Sequence, residues 1–128
     1  MAADESTTLA DLRALVRRFV DERDWGQFHA PKNISMSLAI EAAELMEHFQ
    51  WIDSEASRHV GSDPAKLEAI REELADVLSY ALALANVLEI DVADAVRDKM
   101  VKNALKYPAD EFRGRYGKST PHSLPEND

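Results

Sequence analysis

Residues 64–88 read PAKLEAIREELADVLSYALALANVL and contain the central long helix that the sequence predicts. Asp63 and Pro64 are typical of the N-cap and the first residue of a helix. Apolar residues then recur at helical spacing to the end of the stretch, which predicts one long helix of roughly seven turns. Glu73 and Asp76 lie within this apolar run, three positions apart, and that spacing puts both carboxylates on one helix face.

A second pair of acids with the same spacing, Glu41 and Glu44, lies in another apolar segment, residues 38–46. Four carboxylates brought together in apolar surroundings repel one another and lose hydration unless a cation holds them. Hard oxygen ligands suit Mg²⁺, and Mn²⁺ is the second choice. We therefore predict that the two pairs form one divalent metal site.

Two further helices are expected before residue 54. Thr8 begins a capping-box pattern, which predicts a helix over residues 9–22. The helix of the first acid pair is expected to be capped by Asn33 or Ser35 and to end near Asp53. Between these helices lies a loop rich in aromatic and polar residues, a composition that often carries binding groups.

The last predicted helix begins with the box-like pair Asp91 and Asp94 and ends at Tyr107, which precedes a proline. No strand pattern is present in the sequence, so the expected fold class is all-α, a four-helix up-down bundle. We expect one domain over residues 1–112. Residues 113–128 lack periodicity and are expected to form a flexible tail.

Length and composition limit the function classes. The chain has 128 residues, a formal net charge of −9 and no cysteine. The negative charge argues against general binding of nucleic acid or anionic membranes. No apolar run reaches the roughly 20 residues of a membrane span, and the N-terminus does not resemble a signal peptide. We expect a cytoplasmic protein without disulfides.

Three other interpretations of the acids stay open at the level of residue pattern. They are ordinary solvated helix acids, the carboxylates of a di-iron or di-manganese bundle, or ligands of a structural cation in a non-enzymatic helical dimerisation module. The di-iron design uses Glu-x-x-His motifs, whereas an acid follows both Glu41 and Glu73 at that position. His48, one turn after Glu44, is the nearest histidine to the first pair.

A carboxylate cage for Mg²⁺ most often presents the metal to substrate phosphates. The sequence has no Gly-rich phosphate loop of the Walker type, so metal and side chains have to hold the phosphates. Lys99, Asn103 and Lys106 are spaced four and three residues apart on the last predicted helix and supply suitable donors.

The acid pairs and their surroundings resemble the MazG-like all-α nucleoside triphosphate pyrophosphatases, and among these the dCTP pyrophosphatase branch. Five segments carry the resemblance beyond the acids: residues 23–29 (RDWGQFH), 31–33 (PKN), 49–51 (FQW), 72–80 (EELADVLSY) and 99–108 (KMVKNALKYP). Together they span most of residues 9–116. The combination is much more specific than the acid spacing alone.

The resemblance implies Mg²⁺-dependent hydrolysis of dCTP, or a modified dCTP, to the monophosphate and pyrophosphate, as a step in nucleotide-pool sanitation. The implied metal ligands and catalytic residues are Glu41, Glu44, Glu73 and Asp76. The implied nucleotide contacts are Trp25, Phe28, His29, Trp51 and Tyr80. The implied phosphate and sugar contacts are Lys99, Asn103 and Tyr107.

One position departs from the pattern, because Val16 stands where some relatives have a substrate-contacting histidine. Another or a broad nucleotide preference is therefore the alternative to dCTP. Trp25 and Trp51 are expected to stack on the base.

The apolar run around Leu82 to Leu88 is too continuous for one small chain to cover, which predicts a homo-oligomer. Closed two-fold pairing into a dimer is the commonest solution, and the resemblance implies a tetramer built as a dimer of dimers, with active sites completed near subunit contacts.

Overall fold

A computed structural model describes residues 2–115. The chain divides into two compact units, the first ending at Ile90 and the second beginning at Asp91. Every regular element within residues 2–115 is helical, which confirms the predicted all-α class. In the same range, no helix is both long enough and apolar enough to span a membrane.

The first unit is built around three long helices. Its α-helices are α1 (Ala3–Ser6), α2 (Leu9–Glu22), α3 (Pro31–Glu47), α4 (Ser54–Ser57) and α5 (Pro64–Leu88). Two 3₁₀ turns, Trp25–Phe28 and Val60–Ser62, lie in the connections. The predicted helices over residues 9–22 and 64–88 are therefore confirmed with their boundaries.

Side-chain caps explain where α2 and α5 begin. The Asp11 backbone N–H donates to Thr8 Oγ1 (3.1 Å), and the Thr8 N–H donates to Asp11 Oδ2 (2.9 Å), so the capping box is complete. Asp63 Oδ1 accepts from the N–H groups of Ala65 and Lys66. These bonds satisfy amide groups that have no partner inside the helix.

Both predicted ends of the helix with the first acid pair are wrong. Helix α3 begins at Pro31, after Ala30 as N-cap, and not at a cap formed by Asn33 or Ser35. Proline has no N–H to satisfy and a backbone angle suited to the first turn, so a side-chain cap is not required. The helix ends at Glu47, with His48 as C-cap, and Asp53 instead caps α4 by accepting from the Ala56 N–H (2.7 Å).

The second unit contains α6 (Val92–Lys106) and α7 (Ala109–Phe112). Asp91 Oδ1 accepts from the Asp94 N–H (2.9 Å), which is the first half of the predicted box. Helix α6 ends before Tyr107 as predicted, and a short helix that was not predicted, α7, follows it. The Phe112 ring packs edge-on against Tyr107, with centroids 5.2 Å apart, which gives this short helix an apolar contact. The predicted flexible tail falls on residues that, from 116 onward, lie outside the described range.

Helix α5 is the centre of the first unit, because both α3 and α2 pack along it. The buried apolar residues within the described chain are few: Ile34, Leu82, Ala83 and Ala85. Three of the four belong to α5, as the central role of this helix requires. The packing of α3 on α5 also brings the two helices with the acid pairs side by side.

Candidate active site

Three of the four predicted acids converge where α3 packs on α5. Glu41, Glu73 and Asp76 each offer one carboxylate oxygen, and these oxygens all lie within 4.8 Å of one another. We call these three residues the carboxylate cluster. Glu41 and Glu73 are half-buried and Asp76 is exposed. The spacing inside each pair puts its acids on one face, and helix packing then joins the two faces.

Glu44 lies beside the cluster without sharing its tightest geometry. It is half-buried, and its carboxylate is close enough to Glu41 and Glu73 to raise the pKa of both. The prediction that all four acids occupy one region is consistent with this placement. Their role as ligands stays a prediction.

The electrostatics of the cluster favour a cation. Loss of hydration on burial, followed by the nearby Glu44 and Asp76 carboxylates, raises the pKa of Glu41 from 4.5 to about 7. Loss of hydration and then the Glu44 charge also raise the pKa of Glu73. Each shift means that the charged form is disfavoured in the protein without a bound cation.

Hydrogen bonding leads to the same conclusion. Oε2 of Glu41 and Oε2 of Glu73 are buried and have no hydrogen-bond partner in the described part of the chain. Within residues 2–115, the ion pairs of the protein also leave both residues unpaired. Buried oxygens without donors are costly, and a hard divalent cation is a partner that satisfies several of them at once. The residues present therefore fit a divalent metal ion.

A cavity of about 570 Å³ opens beside the cluster. Its walls are α2, the Trp25–Phe28 turn and α5. The lining residues are Leu15, Val16, Phe19, Val20, Trp25, His29, Asp76, Ser79, Tyr80 and Ala83. Asp76 belongs both to this lining and to the carboxylate cluster. A ligand in the cavity is therefore directly next to the acids.

The structure brings together three of the five predicted nucleotide contacts, since Trp25, His29 and Tyr80 all line the cavity. Trp25 is held edge-on against Phe19, with ring centroids 5.6 Å apart. Phe28 and Trp51 do not line this cavity. The Trp51 side chain is 86% exposed in the single chain, so it is not a core residue.

Sequence reasoning missed most of the α2 wall, which comprises Leu15, Phe19 and Val20 besides Val16. These residues follow the ordinary apolar stripe of an amphipathic helix, a pattern that does not distinguish a cavity wall from a core face. On α5, the sequence did contain an indication of one further lining residue. Ser79 follows Asp76 by three positions, so it had to share the face of that acid.

The predicted phosphate contacts lie in the second unit. Lys99 and Asn103 are one turn apart on α6, and the Tyr107 N–H donates to the Asn103 carbonyl oxygen (2.8 Å). Lys106 Nζ lies over the Tyr107 ring at 5.3 Å from its centroid. Contact of Lys99, Asn103 and Tyr107 with a substrate stays a prediction.

Comparison with known proteins gives concordant matches. Residues 36–119 match the MazG-like family. The chain is 42% identical over 123 residues to dCTP pyrophosphatase 1 of Homo sapiens, covering 94% of this chain and 72% of the relative. It is 42% identical over 117 residues to dCTP pyrophosphatase 1 of Bos taurus, covering 90% of this chain and 69% of the relative.

A solved structure agrees with these matches. The crystal structure of a pyrophosphatase from Archaeoglobus fulgidus superposes with a TM-score of 0.72 at 42% sequence identity, over 78% of this chain and 92% of that protein. The family match, residues 36–119, contains the carboxylate cluster. It begins after α2 and the Trp25–Phe28 turn, which form one side of the cavity.

Proposed function

Because the chain belongs to the MazG-like family, we propose that it is a Mg²⁺-dependent nucleoside triphosphate pyrophosphohydrolase that converts dCTP, or a modified dCTP, and water to the monophosphate and pyrophosphate. One observation supports this proposal most directly. Asp76 is shared by the carboxylate cluster and the aromatic cavity, so a single ligand can present its phosphates to the acids and its base to the aromatic wall.

The residues that would hold Mg²⁺ are Glu41, Glu44, Glu73 and Asp76. When bound, the cation supplies charge neutralisation at the phosphate oxygens of the bond that is broken. Glu41, Glu44 and Glu73 are half-buried, so water competes less with substrate phosphates there than at an open surface. Mn²⁺ has the same preference for oxygen ligands and is a second candidate.

The cavity supports binding of the nucleoside. Trp25 and Tyr80 offer aromatic surfaces for a base, and base stacking on such surfaces is largely independent of sequence or base identity. His29 is half-buried in the same wall and offers a hydrogen-bonding ring. Lys99, Asn103 and Tyr107 are the proposed phosphate and sugar contacts, and Trp51 and Phe28 are proposed to contact the nucleotide from outside the cavity of the single chain.

Val16 bears on base preference because it lines the cavity. An aliphatic side chain at this position offers no hydrogen bond to a base edge. A broad nucleotide preference is therefore the alternative that the experiment has to distinguish. The non-enzymatic alternative, a helical module that holds a structural cation, predicts no turnover at all.

The test is a screen of the purified protein against each canonical dNTP and NTP and against modified dCTPs, with Mg²⁺ or Mn²⁺, in which pyrophosphate and monophosphate are quantified. We expect equimolar dCMP and pyrophosphate from dCTP, and no products in the presence of a chelator. Equal rates for many nucleotides establish the broad alternative. Absence of turnover with every nucleotide and both metals overturns the proposed function.

We also propose that the protein is a homo-oligomer, a dimer or a tetramer. Few apolar side chains are buried in the single chain, and large ones stay exposed on α3 and α5, for example Ile40 (59%) and Leu78 (55%). Exposed apolar area of this extent is typical of a surface that is covered by another protein. Cytoplasmic localisation stays a prediction from the sequence.

A further inference from the structure

Within residues 2–90, all hydrogen bonds that join a side chain to a residue more than five positions away lie between α2 and the end of α5. Arg13 donates from Nε to Asn86 Oδ1 (3.0 Å), from Nη1 to the Ile90 carbonyl oxygen (2.6 Å) and from Nη2 to the Ala85 carbonyl oxygen (3.1 Å). Asn86 Nδ2 donates back to the Arg13 carbonyl oxygen (3.1 Å), and Arg17 Nη2 donates to Asn86 Oδ1 (3.3 Å). We call this set the α2–α5 clamp.

The chemistry of a helix end explains the clamp. The last carbonyl groups of a helix have no partner within it, and the helix dipole makes this end negative. Glu89, the C-cap of α5, is in a left-handed conformation (φ 53°). The Ala85 carbonyl oxygen accepts from the N–H groups of Glu89 and Ile90 and additionally from Arg13, and the Ile90 carbonyl oxygen, just beyond the helix, also accepts from Arg13. A guanidinium suits this position because its planar fork directs several donors at once.

Helix α2 depends on the clamp more than the other long helices of the first unit do. None of its residues is buried, whereas α3 buries Ile34 and α5 buries three residues. Within residues 2–115, all other side-chain hydrogen bonds join residues no more than five positions apart. Apolar burial of α2 in the single chain is partial, since Val16 and Val20 are only half-buried, and the clamp is the main polar attachment of this helix.

The clamp lies near the C-terminal end of α5, whereas the acids lie near the middle of this helix. Asn86 is ten residues beyond Asp76, which corresponds to about 15 Å along α5. Arg13, Val16 and Val20 follow one face of α2 at matching intervals. A second cavity of about 240 Å³ borders both the clamp and the larger cavity. It includes Asn86 in its lining and shares Val16 with the larger cavity. The clamp thus supports the α2 wall without touching the carboxylate cluster.

We propose that Arg13 and Asn86 are positioning residues for nucleotide binding, which hold the α2 wall of the cavity at the distance from α5 that accepts the nucleoside. This inference rests on the proposed function. Loss of the clamp leaves the acids in place, because α3 and α5 hold them independently of α2. Without the clamp, binding of the nucleotide has to order the α2 wall. The cost of this ordering lowers the affinity for the nucleoside, while the chemical step is retained.

The experiment measures kcat and KM for dCTP, and the inhibition constant of inorganic triphosphate, in Arg13→Ala and Asn86→Ala. We expect KM for dCTP to rise at least about tenfold, the equivalent of one hydrogen bond to a charged group. We expect kcat to stay within about threefold of wild type and the triphosphate constant to be unchanged, because triphosphate has no nucleoside. The matched control is Arg18→Ala, an exposed arginine of α2 that makes none of the hydrogen bonds of the clamp.

A conservative variant separates the hydrogen bonds from mere folding. Asn86→Asp retains the oxygen that accepts from Arg13 and Arg17 but loses the donation to the Arg13 carbonyl oxygen, so we expect it to restore part of the affinity that Asn86→Ala loses. Melting curves verify that each variant is folded at the assay temperature, and if Arg13→Ala is not, Asn86→Ala and Asn86→Asp carry the test.

Wild-type KM in both alanine variants overturns the inference. So does an equal loss for dCTP and triphosphate, which indicates general damage to the site. Absence of dCTP turnover in the wild-type protein counts against the proposed function itself and is recognised before any variant is made.

Discussion

Glu41 on α3 and Glu73 on α5 approach each other across the helix packing interface, and each has one buried carboxylate oxygen without a hydrogen-bond partner in the described part of the chain. Two such oxygens side by side are unfavourable for an isolated fold, because burial penalises the charge and the charges repel. A site of this kind gains most from a bound cation. Loss of activity on neutralising an acid, the pH dependence of stability and the effect of Mg²⁺ on the melting temperature each test this stabilisation by a cation.

Neutralising one acid of the cluster should abolish turnover. We expect Glu41→Gln and Asp76→Asn to lower kcat/KM more than about 100-fold, because even residues that only orient a metal ligand contribute about 10–100-fold. Glu47→Gln, an exposed acid of the same helix as Glu41, is the matched control and should stay near wild type. Pyrophosphate release at the wild-type rate by both cluster variants would exclude the proposed metal site.

In the metal-free protein, stability should fall as pH rises from about 4.5 to about 7. Over this range the folded state retains a proton on Glu41, whose pKa is raised to about 7, while the unfolded chain has lost it. Stability decreases with pH wherever the folded state binds more protons. The raised pKa of Glu73 acts in the same direction.

The measurement is the urea midpoint in chelator at several pH values. Glu41→Gln has no proton to lose, so its midpoint should vary less with pH than that of the wild type. An identical pH profile for the two proteins would mean that Glu41 is not the titrating group.

Mg²⁺ should raise the melting temperature, because an ion that binds the folded state alone stabilises it by mass action. The gain is about 2.7 kcal/mol at an ion concentration 100 times the dissociation constant. We expect the shift to be largest near pH 8, where the cluster is fully charged, and to be lost in Asp76→Asn. A melting temperature independent of millimolar Mg²⁺ at that pH would count against metal binding by the cluster.

Removal of Trp25 should weaken binding of nucleotide far more than binding of pyrophosphate. Trp25 lines the cavity and contacts Phe19 by its edge, and a base stack contributes roughly 1–3 kcal/mol. Competition titrations of Trp25→Ala with dCMP and pyrophosphate measure the two losses. Equal losses would show that the tryptophan maintains the fold and does not bind the base.

Trp51→Ala is predicted to have the same selective effect, although Trp51 lies outside the cavity of the single chain and is 86% exposed. Its exposure means that the substitution should leave the melting temperature of a monomer unchanged. Unaltered nucleotide affinity in this variant would remove Trp51 from the proposed site.

The helices and the spacing of their acids could be predicted from the residues alone, because both depend on local chemistry. The capping bonds of Thr8 and Asp63 and the spacing within each acid pair involve residues at most three positions apart. The family resemblance added Trp25, His29 and Tyr80 to the candidate site, and these three line the cavity. The prediction was wrong near Asp53, because α3 ends earlier, at Glu47, and Asp53 is the N-cap of the separate helix α4.

Which helix faces meet could not be predicted from the sequence, since this depends on contacts between distant residues. The approach of Glu41 to Glu73 requires the packing of α3 on α5, and the α2 wall requires the bonds between Arg13 and Asn86, which are 73 positions apart. An apolar stripe on α2 is compatible with a core, an interface or a cavity wall, since all three bury the same side chains. The physical reason is that hydrophobic burial is not directional, so the pairing of distant faces depends on the whole fold.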